Sequence, residues 1–65
     1  MLKDNQLVKG FQFLLRDLNN KYYKYELLGR KDKDDLLVIK RVKDEKVSTV
    51  PRLLVIISGK DLFES

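Results

Sequence analysis

The residues best suited to chemistry in this sequence are tyrosines interleaved with cations. Lys21, Tyr22, Tyr23, Lys24 and Tyr25 follow one another without a break. More cations come in the next turn and on the next predicted strand. Aromatic rings can stack on nucleotide bases and cations can neutralise phosphates, which is the combination that a single-strand or groove binder requires. The candidate ligand contacts are Tyr22, Tyr23, Lys24, Tyr25, Arg41 and Lys43.

Other kinds of chemistry lack their residues. The chain contains no cysteine and no histidine, which removes thiolate and imidazole metal ligands together. Its hydroxyl side chains, such as Ser48 and Ser58, have no imidazole base to activate them. Gly29 and Gly59 are isolated, so no glycine-rich phosphate loop exists. We therefore predict no catalytic, cofactor-binding or metal-binding residue, no small-molecule substrate and no enzyme activity.

Length and composition predict one small domain over residues 1–65. Chains of this size bury only roughly 60% of the surface that the unfolded chain exposes, and many of them need disulfides, metals or oligomerisation. The net charge of +4, from 14 lysines and arginines against 10 acids, favours anionic partners, although it is also compatible with an ordinary charged surface. No signal peptide or apolar run of membrane-spanning length is present, so a cytoplasmic protein is expected.

The first element predicted by the apolar pattern is an amphipathic helix of about four turns. Leu7, Phe11, Leu14 and Leu18 step by four, three and four residues along one face. Asp4 and Asn5 form a plausible N-cap, and Asn19 and Asn20 tolerate the left-handed conformation that ends a helix. Phe13 falls off the centre of the stripe, where it could meet a partner surface.

Two strands and a returning segment are predicted next. Residues 22–28 alternate, with Tyr23 and Tyr25 on one face and Tyr22 and Lys24 on the other. A helix that continues through the tyrosines is the competing interpretation. Residues 29–35, a glycine followed by six charges, predict an exposed turn. Residues 36–43 form the second strand, and residues 47–50 can return antiparallel to it before a bend at Pro51.

The aliphatic run over residues 53–57 predicts the last strand, buried on both faces. Residues 60–65 follow as a tail or one short C-terminal turn. The predicted fold is therefore α+β: one N-terminal amphipathic helix packed on a three-stranded, mostly antiparallel sheet in two layers.

A single helix covers only one face of such a sheet. Burying three Leu, Ile or Val side chains on the other face contributes roughly 5–9 kcal/mol, which is comparable with the whole stability of a small domain. We therefore expect a homodimer, with candidate dimer contacts at Phe13, Leu54 and Ile56. The predicted function is that of a small non-enzymatic binding or regulatory protein that acts by protein–protein recognition. The alternative, ranked second, is a nucleic-acid-binding protein that uses a basic, tyrosine-rich sheet face.

Overall fold

An antiparallel sheet with one helix across it forms the fold of residues 1–62, which are the residues that the computed structural model describes. The strands lie in the order β4-β3-β2-β1-β5. In chain order the elements are a 3-10 turn at Asp4–Gln6, β1 at Gln12–Arg16, β2 at Tyr22–Lys31, a 3-10 turn at Asp32–Asp34, β3 at Leu36–Arg41, β4 at Lys46–Pro51, α1 at Arg52–Ser58 and β5 at Lys60–Asp61.

The predicted N-terminal helix is wrong, because the segment folds as a turn followed by strand β1. Gly10 has a φ angle of 91°, which breaks any helix and which glycine adopts without strain. After it, Phe11, Phe13 and Leu15 alternate toward the core, and β1 pairs with β2 along its whole length. The spacing that suggested a helix also contains a strand alternation, and pairing with β2 decides between them.

The asparagines predicted to end that helix instead build the hairpin between β1 and β2. Asn20 has a φ angle of 63°, so its left-handed conformation is confirmed. The Asp17 carboxylate accepts hydrogen bonds from the backbone N–H groups of Asn19 at 2.8 Å and Lys21 at 3.0 Å. An aspartate that binds nearby backbone groups in this way stabilises a tight turn.

The strand predicted over residues 53–57 is also wrong, since these residues form most of α1. Pro51, with a φ angle of −61°, ends β4 and starts the helix, and the Gly59 N–H donates to the Val55 carbonyl at 2.8 Å to close it. Val55 is buried, whereas Leu53, Leu54 and Ile57 are 53%, 47% and 69% exposed. An unbroken aliphatic run has no periodicity that separates a strand from a helix.

The central strands agree with the sequence at their starts but not at their ends. β2 and β3 begin at Tyr22 and Leu36, as predicted, and β4 contains residues 47–50 paired antiparallel to β3. The exposed turn predicted over residues 29–35 is wrong for residues 29–31, because β2 continues through Lys31, and β3 ends at Arg41 rather than at residue 43.

The described residues form five strands and not the three predicted. Residues 53–57 leave the sheet, residues 47–50 lie in a full strand β4, β1 pairs with β2, and β5 pairs with β1. Leu62 lies in a turn after β5, and the rest of the predicted C-terminal turn lies outside the described residues.

The core lies between one face of the sheet and α1. The fold therefore has two layers, a sheet and a helix, and the helix is C-terminal and not N-terminal. Helix α1 contacts β4 and β1, which lie on either side of β2 and β3, and therefore crosses the face. The Leu2 N–H donates to the Ile56 carbonyl at 3.1 Å, which fixes the N-terminal segment beside the helix. The buried side chains are Leu2, Leu7, Phe13, Leu27, Leu37, Ile39 and Val55.

This fold removes the main reason to expect a dimer. A last strand with two apolar faces would need a second covering layer, but residues 53–57 form a helix that packs one face on the core. Phe13 is 0% exposed and Ile56 packs partly against the core, so neither offers a free surface comparable with that of Leu54.

Replacing Gly59 by alanine is expected to destabilise the protein by about 1–3 kcal/mol through overpacking. A Cβ atom at Gly59 would lie 2.5 Å from the Val55 carbonyl oxygen and 2.7 Å from Leu2 Cδ1. Urea unfolding followed by circular dichroism measures the change. Gly29→Ala is the matched control, because a Cβ atom there meets nothing within 4 Å. Equal stability of the two variants would show that the helix end is not packed as described.

Candidate nucleic-acid interface

The face of the sheet opposite α1 has no layer over it in the part of the chain that the structure describes. Strand pairing defines its members, because directly paired residues point to the same face and alternate residues share a face. Leu14 pairs with Lys24 and Lys60, while Gln12 and Lys40 both pair with Glu26. None of these side chains is buried. We call this surface the open face; it comprises Gln12, Leu14, Arg16, Tyr22, Lys24, Glu26, Gly29, Lys31, Leu36, Val38, Lys40, Val47, Thr49, Pro51 and Lys60.

The charge on the open face is strongly one-sided. Among the described residues it holds five cations, from Arg16, Lys24, Lys31, Lys40 and Lys60, against the single carboxylate of Glu26. Within residues 1–62, none of the five cations forms an ion pair with a carboxylate. Unpaired cations on a surface without a covering layer attract an anionic polymer at long range.

Several of the acidic side chains are collected at another place, where arginines neutralise them. Arg52 contacts Asp35 at 2.6 Å and Asp4 at 3.1 Å, and Arg30 contacts Asp4 at 3.4 Å. The hydrogen bond from Arg52 lowers the pKa of Asp35 below its ordinary value. This cluster joins the N-terminal turn, β2 and the start of α1. It leaves the positive charge of the open face uncompensated.

Tyr22 is the aromatic residue of the open face, and cations surround it. Its side chain is 40% exposed. Lys60 Nζ lies 4.8 Å from the ring centroid, and Arg16 Cζ lies 5.9 Å from it. The three residues line an open groove of about 680 Å³ together with others that include Leu18, Ile57 and Gly59. This volume is within the range of sites that hold small ligands, which makes the groove a candidate position for an unpaired nucleotide beside the ring.

Strand alternation divides the predicted ligand contacts into two groups. Tyr22 and Lys24 lie on the open face, as the alternation of residues 22–28 predicted. Tyr23, Tyr25 and Arg41 lie on the face that carries α1, where Tyr25 packs against the core. Lys43 follows β3, and its Nζ atom lies 5.6 Å from the Tyr23 ring centroid.

Four cations of the open face are not among the predicted contacts. The sequence pattern predicts a helix at Arg16, an exposed turn at Lys31 and a tail or short turn at Lys60, so it places none of the three on a sheet. Lys40 belonged to the basic pattern of the second strand but was not singled out. The signal that could have found Arg16 is the alternation of residues 11–15, read as a strand.

The second group is organised by a bidentate ion pair. Arg41 donates to Asp44 from Nε at 3.0 Å and from Nη2 at 2.6 Å, and its guanidinium lies 5.2 Å from the Tyr23 ring centroid. These hydrogen bonds lower the pKa of Asp44 to about 2 and raise the pKa of Arg41. Asp44 also accepts the Lys46 N–H at 3.3 Å, which stabilises the turn between β3 and β4.

The ion pair of Asp44 is expected to make the stability of the protein depend on pH. The pKa of Asp44 is lower in the folded protein than its ordinary value of 3.8. Its stabilising contribution is therefore fully present above that ordinary value and is lost as the pH falls toward about 2. Asp44→Asn should make the free energy of unfolding depend less steeply on pH in this interval, as measured by urea unfolding at successive pH values. Asp34→Asn is the control, because Asp34 is an exposed acid that forms no ion pair with the other residues of the range 1–62. In this variant the free energy of unfolding should keep the steeper dependence on pH. Equal slopes for Asp44→Asn and the unaltered protein would contradict this account.

Neither a membrane-spanning helix nor a metal site is found in the described chain. None of its helices is long and apolar enough to cross a bilayer. No group of three or more potential ligands among residues 1–62 is arranged to hold a metal ion. Comparison of the chain with known protein families, curated proteins and solved structures found no match.

Proposed function

We propose that this protein is a non-enzymatic binding protein that binds single-stranded nucleic acid on the open face of its sheet. The observation that carries the proposal is the segregation of charge. Five cations that form no ion pair among residues 1–62 share this face with one carboxylate. The proposal includes the cytoplasmic location expected from the sequence. The segregation of charge is our reason for ranking nucleic acid ahead of the protein partner that the sequence favoured.

The surroundings of the cations favour a single strand over a duplex. The partly exposed side chains of Leu14 and Val38 lie among the cations, and Tyr22 lies at one end of the face. Unpaired bases can pack on such apolar side chains and stack on the ring, whereas the bases of a duplex are already stacked. Because Tyr22 is the one aromatic side chain that residues 1–62 place on this face, phosphate contacts are expected to dominate, with little sequence preference.

The salt dependence of binding tests this proposal. Three or four phosphate contacts predict a slope of log K against log salt of about −2 to −3 for a single strand. The affinity for a fluorescently labelled oligonucleotide should therefore fall about 20- to 50-fold between 50 and 200 mM salt, measured by fluorescence anisotropy. A duplex and poly-glutamate, as controls, should bind more weakly than the single strand. Absence of binding at low salt, or equal binding of poly-glutamate, would overturn the proposal.

A second candidate function, self-association, is favoured by the exposed aliphatic side chains of α1. Leu53, Leu54 and Ile57 together expose an apolar surface on a helix of only seven residues. Such a surface is typical of a protein interface. We propose a homodimer through α1 as this second candidate. Sedimentation of the unaltered protein should show a dimer that Leu54→Glu dissociates. Val8→Glu, at an exposed apolar residue away from α1, is the control. A monomer at all concentrations would exclude this candidate.

A further inference from the structure

A small pocket with hydrogen-bond donors lies on the face that carries α1, next to the edge strand β4. Tyr25, Arg41, Lys46 and Ser48 line it, and its volume is about 190 Å³. Arg41 pairs with both Tyr25 and Lys46, so these three side chains form one row across β2, β3 and β4. Ser48 pairs with Ile39, two residues along β3, and so belongs to the neighbouring row. The pocket is separate from the open face, because its residues point to the other side of the sheet.

The donors of this pocket are largely unused. Among the described residues, no hydrogen bond or ion pair engages Tyr25 Oη, Ser48 Oγ or Lys46 Nζ. Arg41 directs Nε and Nη2 to Asp44, which leaves its Nη1 donors free. One ammonium group, one guanidinium edge and two hydroxyls therefore line a space with a single carboxylate nearby. Polar groups that converge on a concave surface are typical of a ligand site.

We propose that this pocket binds the dianion of a phosphate monoester. The monoester has three terminal oxygens, which match the lysine, guanidinium and hydroxyl donors. Its two negative charges attract Lys46 and Arg41, although Asp44 already neutralises part of the charge of Arg41. A phosphodiester has one charge and two terminal oxygens, so it uses fewer of these donors. Asp44 competes with the ligand for Arg41, and the bound phosphate is expected to take over part of that guanidinium. The site does not depend on the nucleic-acid proposal, since it is formed by other residues.

The test is a titration with methyl phosphate at pH 7.5, followed by NMR shifts of the amide groups at constant ionic strength. Saturable shifts centred on Tyr25, Arg41, Lys46 and Ser48 are expected, with dimethyl phosphate at least about tenfold weaker. Lys46→Met and Ser48→Ala should each weaken binding about tenfold, and Asp44→Asn should strengthen it several-fold. Thr49→Ala, on the opposite face of β4, and Lys33→Met, in an exposed turn, are matched controls that should leave the affinity unchanged.

Three outcomes would overturn the proposal: no saturable shift, equal binding of dimethyl phosphate, or unchanged affinity in both Lys46→Met and Ser48→Ala. The source of the phosphate is distinguished with 5′-phosphorylated and 5′-hydroxyl forms of one oligonucleotide. A preference for the phosphorylated form that Lys46→Met removes assigns the site to a nucleic-acid end. Equal affinity of the two forms, with methyl phosphate still bound, assigns it to a small phosphorylated compound.

Discussion

Phe13→Ala is expected to lower the free energy of unfolding by about 3–5 kcal/mol. Phe13 is 0% exposed and lies at the centre of the core. Its ring stacks between Phe11, at 5.8 Å between centroids, and Tyr25, at 6.1 Å. It also lies on the strand that joins β2 to β5, where it pairs with Tyr25 and Asp61. A domain of this length has a total stability of roughly 3–10 kcal/mol, so the variant should be largely unfolded near room temperature.

Urea unfolding measures this effect, with Phe11→Ala as the control. Phe11 is only partly buried, so its truncation should cost less than that of Phe13. A loss below about 1 kcal/mol for Phe13→Ala would contradict the core described above, because truncating a fully buried phenylalanine costs several times that amount. It would then favour the sequence-based assignment of Phe13 to a surface that contacts a partner.

Reversing two charges of the open face, with Lys24→Glu and Lys60→Glu together, should weaken binding of single-stranded nucleic acid by about 100-fold or more at low salt. Both lysines pair with Leu14, so the two changes fall on one row across β2, β1 and β5. Each change removes a phosphate contact and adds repulsion. The slope of log K against log salt should become shallower by about 1.4, or 0.7 for each lost contact.

The control for this variant carries the same change in net charge at a different place. Lys9→Glu and Lys33→Glu alter two exposed lysines in turns outside the open face. General attraction between a basic protein and a polyanion would be weakened equally in the two double variants. Retained binding in the control, with loss in the open-face variant, is the expected result. Equal loss in both would show that net charge, and not the open face, determines binding.

The parts of the fold that sequence could predict are those with an unambiguous local pattern. Tyr22, Tyr23, Lys24 and Tyr25 alternate, and the division of these residues between two faces followed directly from that alternation. The turn around Asp44 is rich in charge and needs no core. For residues 53–57 every position is aliphatic, so burial could not be read from the pattern. Their helix depends on Pro51 ending β4, and on Val55 meeting a core built by distant segments.

Only part of the open face could be predicted from the sequence, for a related reason. Tyr22 and Lys24 were found because their strand was recognised. Arg16 and Lys60 join them only because β1 pairs with both β2 and β5, and the sequence pattern predicted neither β1 nor β5. The positive φ angle of Gly10 interrupts the predicted helix, and pairing with β2 then makes β1 a strand. The strand β1 also determines the position of Lys60, because β5 pairs with β1.

The central claim, that nucleic acid binds to the open face, is tested most directly by methyl NMR during titration with a single-stranded oligonucleotide. Methyl groups report on side chains and therefore on one face of the sheet, which backbone amides do not. The account predicts saturable shifts at Leu14, Val38 and Val47, with no change at Leu53 and Leu54 of α1, which lie outside the groove beside Tyr22. Shifts confined to α1, or none at Leu14 and Val38 while the oligonucleotide is bound, would contradict it.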